Sequence, residues 1–331
     1  MDDNPQFSFE TLKGASQYMT MSHFGVIDIG SNSVKLSIAR FKADTFEVVF
    51  SSREGLRLLE GDQKVIQNHQ VELLKAYLLA CKKTLAEHKA PYQILATSAM
   101  RRAENQRKVI DYITDSISMN INVISGEQEA QLVFRAHLDQ YSIDQGKHII
   151  LDIGGGSLEC IQVQGGVCQG AVSLPLGVVV LKDQLAQKQI SFTSPKATRF
   201  IKGVFKDYIP REPFCNTTVW MGGGSPNAVL SLQEAMHEGK GSQSRDSKTS
   251  PSQLSLEELE HLQAWVQGQS ASTLIESYHV KPHRVDLVPT TLFLMKAMMH
   301  ILGQSLARIS DTGIREGLFA SIHAKQKSSK K

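Results

Sequence analysis

Apolar and polar residues follow two alternating rhythms along this chain. Residues 24–41 (FGVIDIGSNSVKLSIARF) run as an apolar strand, a short polar turn and an alternating strand, and residues 149–162 (ILDIGGGSLECIQV) do the same. Between them, residues 70–88 carry a broad helical stripe, 92–98 read as a strand ending at Arg101 and Arg102, and 105–117 read as a helix. Residues 121–125 form a short strand pattern and Glu127 to about Leu138 a helical one. Beyond the second motif the pattern predicts a strand at 171–175, a helix at 195–208, and a strand, glycine-rich turn and helix over 217–230. Ser255 and Glu258 have the spacing of a capping box that opens a further helix. A strongly apolar helix at 290–303, read as core, precedes ISDTGIREGLFASI at 309–322. Such alternation predicts an α/β protein.

The two strand–turn–strand motifs match position by position. Asp28-Ile29-Gly30-Ser31-Asn32-Ser33 aligns with Asp152-Ile153-Gly154-Gly155-Gly156-Ser157, 124 residues later. Matched flanking strands make this a duplicated half-domain. The expectation is two similar lobes with a cleft between them, spanning 22–135 and 136–331, the last helix being free to pack back on the first lobe. Residues 235–254, rich in Ser, Gly and Lys, are expected to be a mobile surface insertion.

With 331 residues, 41% of them hydrophobic, the chain has enough apolar surface for two ordinary domains. Its net charge of +3 is a tail property, because four lysines stand in the last seven residues. A nucleic-acid-binding body is therefore not expected. Cys81, Cys160, Cys168 and Cys215 show no C-x-x-C spacing and suit a reducing cytoplasm. No apolar run approaches the roughly 18 residues a membrane span needs. The N-terminus lacks the apolar core of a signal peptide, and residues 1–18 read as an optional leader or a mis-called start.

Three turns combine glycine with hydroxyl residues: 28–33, 152–157 and 222–225. Without Cβ atoms in the way, such turns can aim several N–H groups at one anion, above all phosphate. Ser31, Asn32, Ser33, Gly155, Gly156, Ser157, Gly223, Gly224 and Ser225 are the candidate substrate-binding residues. The spacing fits neither a dinucleotide fingerprint nor a Walker loop. Asp28 and Asp152 admit two readings: each bonds its own turn, or a divalent cation, Mg²⁺ or Mn²⁺, lies between carboxylate and phosphate. Glu159 interrupts an apolar run two residues beyond Ser157 and joins them as a candidate metal ligand. Glu127 and Glu129 stand in the first turn of a helix, where acids are favoured; Glu129 could instead direct a water at phosphorus. Arg101 and Arg102 are candidates for phosphate recognition, with Arg57 and Arg315 behind them. No His/Cys metal cluster and no G-x-S-x-G nucleophile motif is present.

GVIDIGSNSVKL, ATSAMRRAEN, VISGEQEAQLVF, LDIGGGSLE, SLPLGVVVL, MGGGSPNAVL and ISDTGIREGL follow one another as in the exopolyphosphatase/guanosine pentaphosphate phosphohydrolase family, which the chain resembles from about residue 24 to 320. The resemblance implies the actin-like ATPase fold, two ribonuclease-H-like lobes around a phosphate-binding cleft. It implies Mg²⁺-dependent release of terminal phosphate from inorganic polyphosphate, or of the 5′-phosphate of guanosine pentaphosphate. Glu129 resembles the family's water-activating glutamate; Asp152, Ser157 and Glu159 its metal- and phosphate-handling residues; Arg101 the arginine after the Thr-x-x-x-Arg strand; Gly155 and Gly156 its phosphate loop. The family often dimerises, which makes a homodimer one option and leaves the oligomeric state open. Longer members carry a C-terminal helical domain; the sequence ends soon after ISDTGIREGL, so that domain is expected to be absent and processive work on long polyphosphate to be limited. RVDLVPTTLFL lacks the glycine the family often has near Thr290, and MGGGSP differs from its usual turn. Polyphosphate and guanosine pentaphosphate both stay open as substrates. A non-catalytic sensor of these ligands on the same fold is the alternative; a kinase of the superfamily would need adenosine and acceptor pockets that the sequence does not reveal.

Overall fold

In the computed structural model, residues 21–60, 63–206, 208, 216–238 and 251–328 are described. The first strand, β1 (His23–Ile29), turns at Gly30–Ser33 and returns antiparallel as β2 (Val34–Phe41), followed by β3 (Phe46–Glu54). Then come α1 (Asn68–Glu87), β4 (Tyr92–Ala96), α2 (Ser98–Arg102), α3 (Gln106–Ile117), β5 (Ile121–Val123) and α4 (Gly126–Gln140). The sheet order is β3-β2-β1-β4-β5, with β1, β4 and β5 parallel.

The pattern then repeats. β6 (Lys147–Ile153), β7 (Leu158–Gln164) and β8 (Val167–Leu174) form a second antiparallel meander, followed by α5 (Val178–Gln187), α6 (Pro195–Phe205), β9 (Thr217–Gly222) and α7 (Gly224–Glu238). β10 (Gln253–Ser255), α8 (Leu256–Gln267), α9 (Ala271–Glu276), α10 (Pro282–Val285), α11 (Val288–Leu302), β11 (Leu306–Ile309) and α12 (Ile314–Ser328) complete the chain. The second sheet reads β8-β7-β6-β9-β11, the order of the first, with β10 added beyond β11. Both sheets thus have the ribonuclease-H-like arrangement, a three-strand meander extended by parallel strands, which accounts for the repeated motif at each first hairpin.

The chain divides into two compact units. One holds the residues up to Leu58, Lys64–Tyr141 and those from Gly313 on; the other holds Leu59–Gln63 and Ser142–Thr312. The division falls after α4, which runs on through the 135/136 boundary drawn from sequence. In the second unit, α11 is the core helix: Leu292, Leu294, Met295, Met298 and Met299 are fully buried. It ends at Gly303, whose φ of 62° supplies the left-handed cap. The Ser255–Glu258 capping box is formed, with Ser255 N–H on Glu258 Oε2 at 2.7 Å and Glu258 N–H on Ser255 Oγ at 3.1 Å. In the first unit, α12 lies on α4 and the sheet, with Phe319 and His323 against Phe41 and Phe46 at ring separations of 5.6–6.4 Å. Glycine allows the approach, since a Cβ on Gly317 would lie 1.9 Å from the Leu132 carbonyl oxygen. Gly317→Ala should therefore destabilise by about 1–3 kcal/mol through overpacking. Gly203→Ala, at an open position of α6 with nothing within 4 Å, should be neutral or stabilising. Thermal unfolding of the two variants checks this.

Four local expectations change. The sequence pattern does not predict β3, because this half-exposed edge strand has no clean alternation. The strand expected at 171–175 begins at Val167. Arg101 and Arg102 do not directly follow a strand: β4 ends at Ala96 and both lie on α2. Of the expected insertion 235–254, residues 235–238 belong to α7 and 253–254 to β10, while 239–250, like residues 1–18 and Cys215, lie outside the described residues. Among the described residues no helix is long and apolar enough to cross a membrane.

Candidate active site

Both hairpin bends close in the same way. Gly30 N–H donates to Ser33 O at 3.1 Å, and Gly154 N–H to Ser157 O at 3.0 Å. Their flanking charges differ. Asp28 stands opposite Lys35 in the β1–β2 ladder and pairs with it at 3.6 Å. At the corresponding rungs of β6 and β7, Asp152 stands opposite Glu159. Directly opposed residues of an antiparallel pair point to the same face, and like charges there repel. Glu159 is 1% exposed and accepts from Ser173 Oγ at 2.7 Å. A half-buried aspartate directly opposite a buried glutamate offers two carboxylates that a divalent cation can join; in the first bend the aspartate faces a lysine instead.

The bend at 154–157 is braced from behind. Val178 N–H donates to Gly154 O at 3.0 Å and Val179 N–H to Gly155 O at 2.9 Å. A Cβ on Gly177 would lie 2.4 Å from Gly155 C, so only glycine lets α5 begin this close to the loop. This docking makes a helix of the β-branched run Val178–Val180, whose sequence pattern by itself predicts no helix. The loop carbonyls are thus engaged, whereas the Gly155 and Gly156 amides donate to no group among the described residues. In the first bend, the Ser31 hydroxyl is buried, the residue being 5% exposed, and has no hydrogen-bond partner among the described residues.

The third turn lies beside the second. Gly223 has φ 94°, and a Cβ on it would sit 2.7 Å from Asp152 Oδ1. A Cβ on Gly222 would come within 2.7 Å of Ser310 Oγ, and one on Gly224 within 2.4 Å of Arg284 Nη2. Asn227 ties the cluster, its amide donating to Gly223 O at 2.9 Å and Ser310 O at 2.7 Å. Asp152, Gly222–Gly224, Ser310 and the 5%-exposed Arg284 therefore converge. Sequence reasoning missed Arg284 and Ser310. The available signal was a cation heading the apolar run of α11 and a serine closing β11.

In the first unit, Arg101 Nη1 donates to Glu129 Oε2 at 2.8 Å and to Ile124 O at 2.9 Å. Glu129 is 7% exposed in the first turn of α4, which Ser125 and Gln128 cap reciprocally. Glu127 and Arg102 are the exposed members of their pairs of neighbours. Arg315 donates to Ser37 Oγ, and burial first, then neighbouring Arg315, push the Arg53 guanidinium below its ordinary range. Burial raises the Cys160 thiol to about 12 and Cys81 to about 11, so neither is a ready thiolate nucleophile. Among the described residues no three His, Cys, Asp or Glu side chains form a metal cluster. Two carboxylates completed by phosphate oxygens and water are the set that Mg²⁺ accepts.

The model of the Ppx/GppA phosphatase family matches residues 37–326. Exopolyphosphatase 1 of Mycobacterium tuberculosis is 26% identical over 309 residues, covering 89% of this chain and 86% of the relative. The crystal structure of the Aquifex aeolicus member of the Ppx/GppA family shares the fold with a TM-score of 0.71 at 22% identity, over 92% of this chain and 98% of its own. An exopolyphosphatase from Cytophaga hutchinsonii does so with a TM-score of 0.77 at 19% identity, over 91% and 98%.

Proposed function

Because the chain belongs to the Ppx/GppA phosphatase family, we propose that it is a Mg²⁺-dependent hydrolase releasing the terminal phosphate of inorganic polyphosphate. The observation that carries this reading is the Asp152–Glu159 carboxylate pair beside a glycine bend with uncommitted amides. Asp152 and Glu159 would hold Mg²⁺, which when bound neutralises phosphate charge and makes the terminal phosphorus more electrophilic. In the second unit, the Gly155 and Gly156 N–H groups, with the Ser157 and Ser225 hydroxyls, bind phosphate oxygens; in the first unit, the buried Ser31 hydroxyl is a phosphate donor of its own bend. Glu129, oriented by Arg101, positions the attacking water and takes its proton. Asp28, already paired with Lys35, is left out of the metal site.

The test is orthophosphate release with Mg²⁺ from short polyphosphate, long polyphosphate and guanosine pentaphosphate in parallel. Release from polyphosphate that stops on chelation is expected. Release from guanosine pentaphosphate alone would move the activity to the nucleotide, and calorimetric binding without release over hours would make the protein a sensor.

A further inference from the structure

One residue holds the first bend in a backbone conformation its type seldom adopts. Arg57 has φ 44°, in the left-handed region that glycine occupies freely and a residue with a Cβ does not. Hydrogen bonds among the described residues fix it there. Its N–H donates to Asn32 O at 3.2 Å, its Nε to Asn32 Oδ1 at 3.3 Å, and its carbonyl accepts from Gln70 Nε2 at 2.8 Å. Gln70 is buried and also accepts from Gln67 N–H at 3.1 Å, in the capping box that opens α1. Leu56 and Leu58, on either side of Arg57, are buried and keep the segment from shifting. A strut therefore runs from the start of α1 through Arg57 to both oxygens of Asn32, next to the buried Ser31 hydroxyl.

If the segment only had to turn here, glycine would do so without strain. Arginine adds the Nε bond to Asn32, and that bond sets the side chain of a bend residue. We propose that Arg57 is a positioning residue: it fixes Asn32 so that the first bend, Ser31 foremost, is preorganised for a phosphate oxygen. This rests on the phosphate-binding reading of that bend given above.

The experiment compares the full-length wild type with Arg57→Gly, Arg57→Lys, Asn32→Ala and the Arg57→Gly/Asn32→Ala double variant. Three quantities are read: melting temperature, KM and kcat for tripolyphosphate, and calorimetric affinity for the non-hydrolysable methylenediphosphonate. Arg57→Gly relieves the backbone, so its melting temperature should stay within about 2 °C of wild type. Its KM and its dissociation constant for the bisphosphonate should each rise about tenfold, the scale of one lost charge-assisted hydrogen bond, with kcat nearly unchanged. Lysine keeps the charge but not the Nε–H and should not rescue. Adding Asn32→Ala should cost little more than either single change, because the two residues act as one unit.

Wild-type affinity and KM in Arg57→Gly would overturn the proposal. So would full rescue by lysine, additive losses in the double variant, or a large drop in melting temperature with parallel loss of kcat. A wild type that binds the bisphosphonate but releases no phosphate would refute the hydrolase reading and leave the positioning role to be decided by the affinities. A wild type that does neither refutes both.

Discussion

Glu129→Gln should leave the protein folded and reduce phosphate release by roughly 10²–10⁴-fold, the usual contribution of a positioned general base. Glutamine has nearly the same shape and still offers an oxygen to Arg101 Nη1, which now donates at 2.8 Å. The amide cannot take a proton from water, so the loss should fall on kcat, with KM little changed. Glu127→Gln is the internal control: it is two residues away, in the same helical turn, and exposed. It should turn over like wild type, with a melting temperature slightly lowered by the missing charge at the helix N-terminus. Steady-state phosphate release and thermal unfolding of both variants test this. Near-wild-type kcat in Glu129→Gln would remove Glu129 from catalysis.

Glu159→Gln should make the metal-free protein more stable and the enzyme nearly inactive. Asp152 and Glu159 are directly opposed across β6 and β7, and Glu159 is buried. Removing one of two like charges on facing rungs should stabilise by up to about 1 kcal/mol, or roughly 2–4 °C, in chelator. Wild type should gain stability on adding millimolar Mg²⁺, because a ligand that binds only the folded state stabilises by mass action. The variant should lose most of that gain, along with most of its phosphate release. An equal Mg²⁺-induced shift in both proteins would count against a metal site at this pair. Lys35→Ala, in the corresponding bend, should behave oppositely: it leaves Asp28 without the 3.6 Å partner it now has and should lower the melting temperature in chelator.

The hairpin bends were legible in the sequence because their chemistry is local. Asp, Gly and Ser within six positions specify strand, bend and donor together, and repetition of that string announced two sheets of one topology. The contrast between Asp28–Lys35 and Asp152–Glu159 was also within reach, since each pair is seven positions apart and a tight antiparallel hairpin sets them opposite one another. Other features depend on chain segments far apart. Arg284 reaches Gly224, and Ser310 reaches Gly222, only after α7 to α11 and β11 have packed. The helical state of Val178–Val180 is imposed by carbonyls of Gly154 and Gly155, against the β preference of valine. At α2, the strand pattern of 92–98 gave no sign that the chain would turn helical at Ser98 and so carry Arg101 to Ile124 O and Glu129.

Attack of water on a terminal phosphorus is tested most directly by oxygen-18 labelling. Tripolyphosphate turned over with Mg²⁺ in oxygen-18 water should yield orthophosphate carrying one solvent oxygen, read by mass spectrometry, with the pyrophosphate product unlabelled. Label in the pyrophosphate and none in the orthophosphate would place the attack on the inner phosphorus, and the absence of any labelled product would contradict hydrolysis altogether.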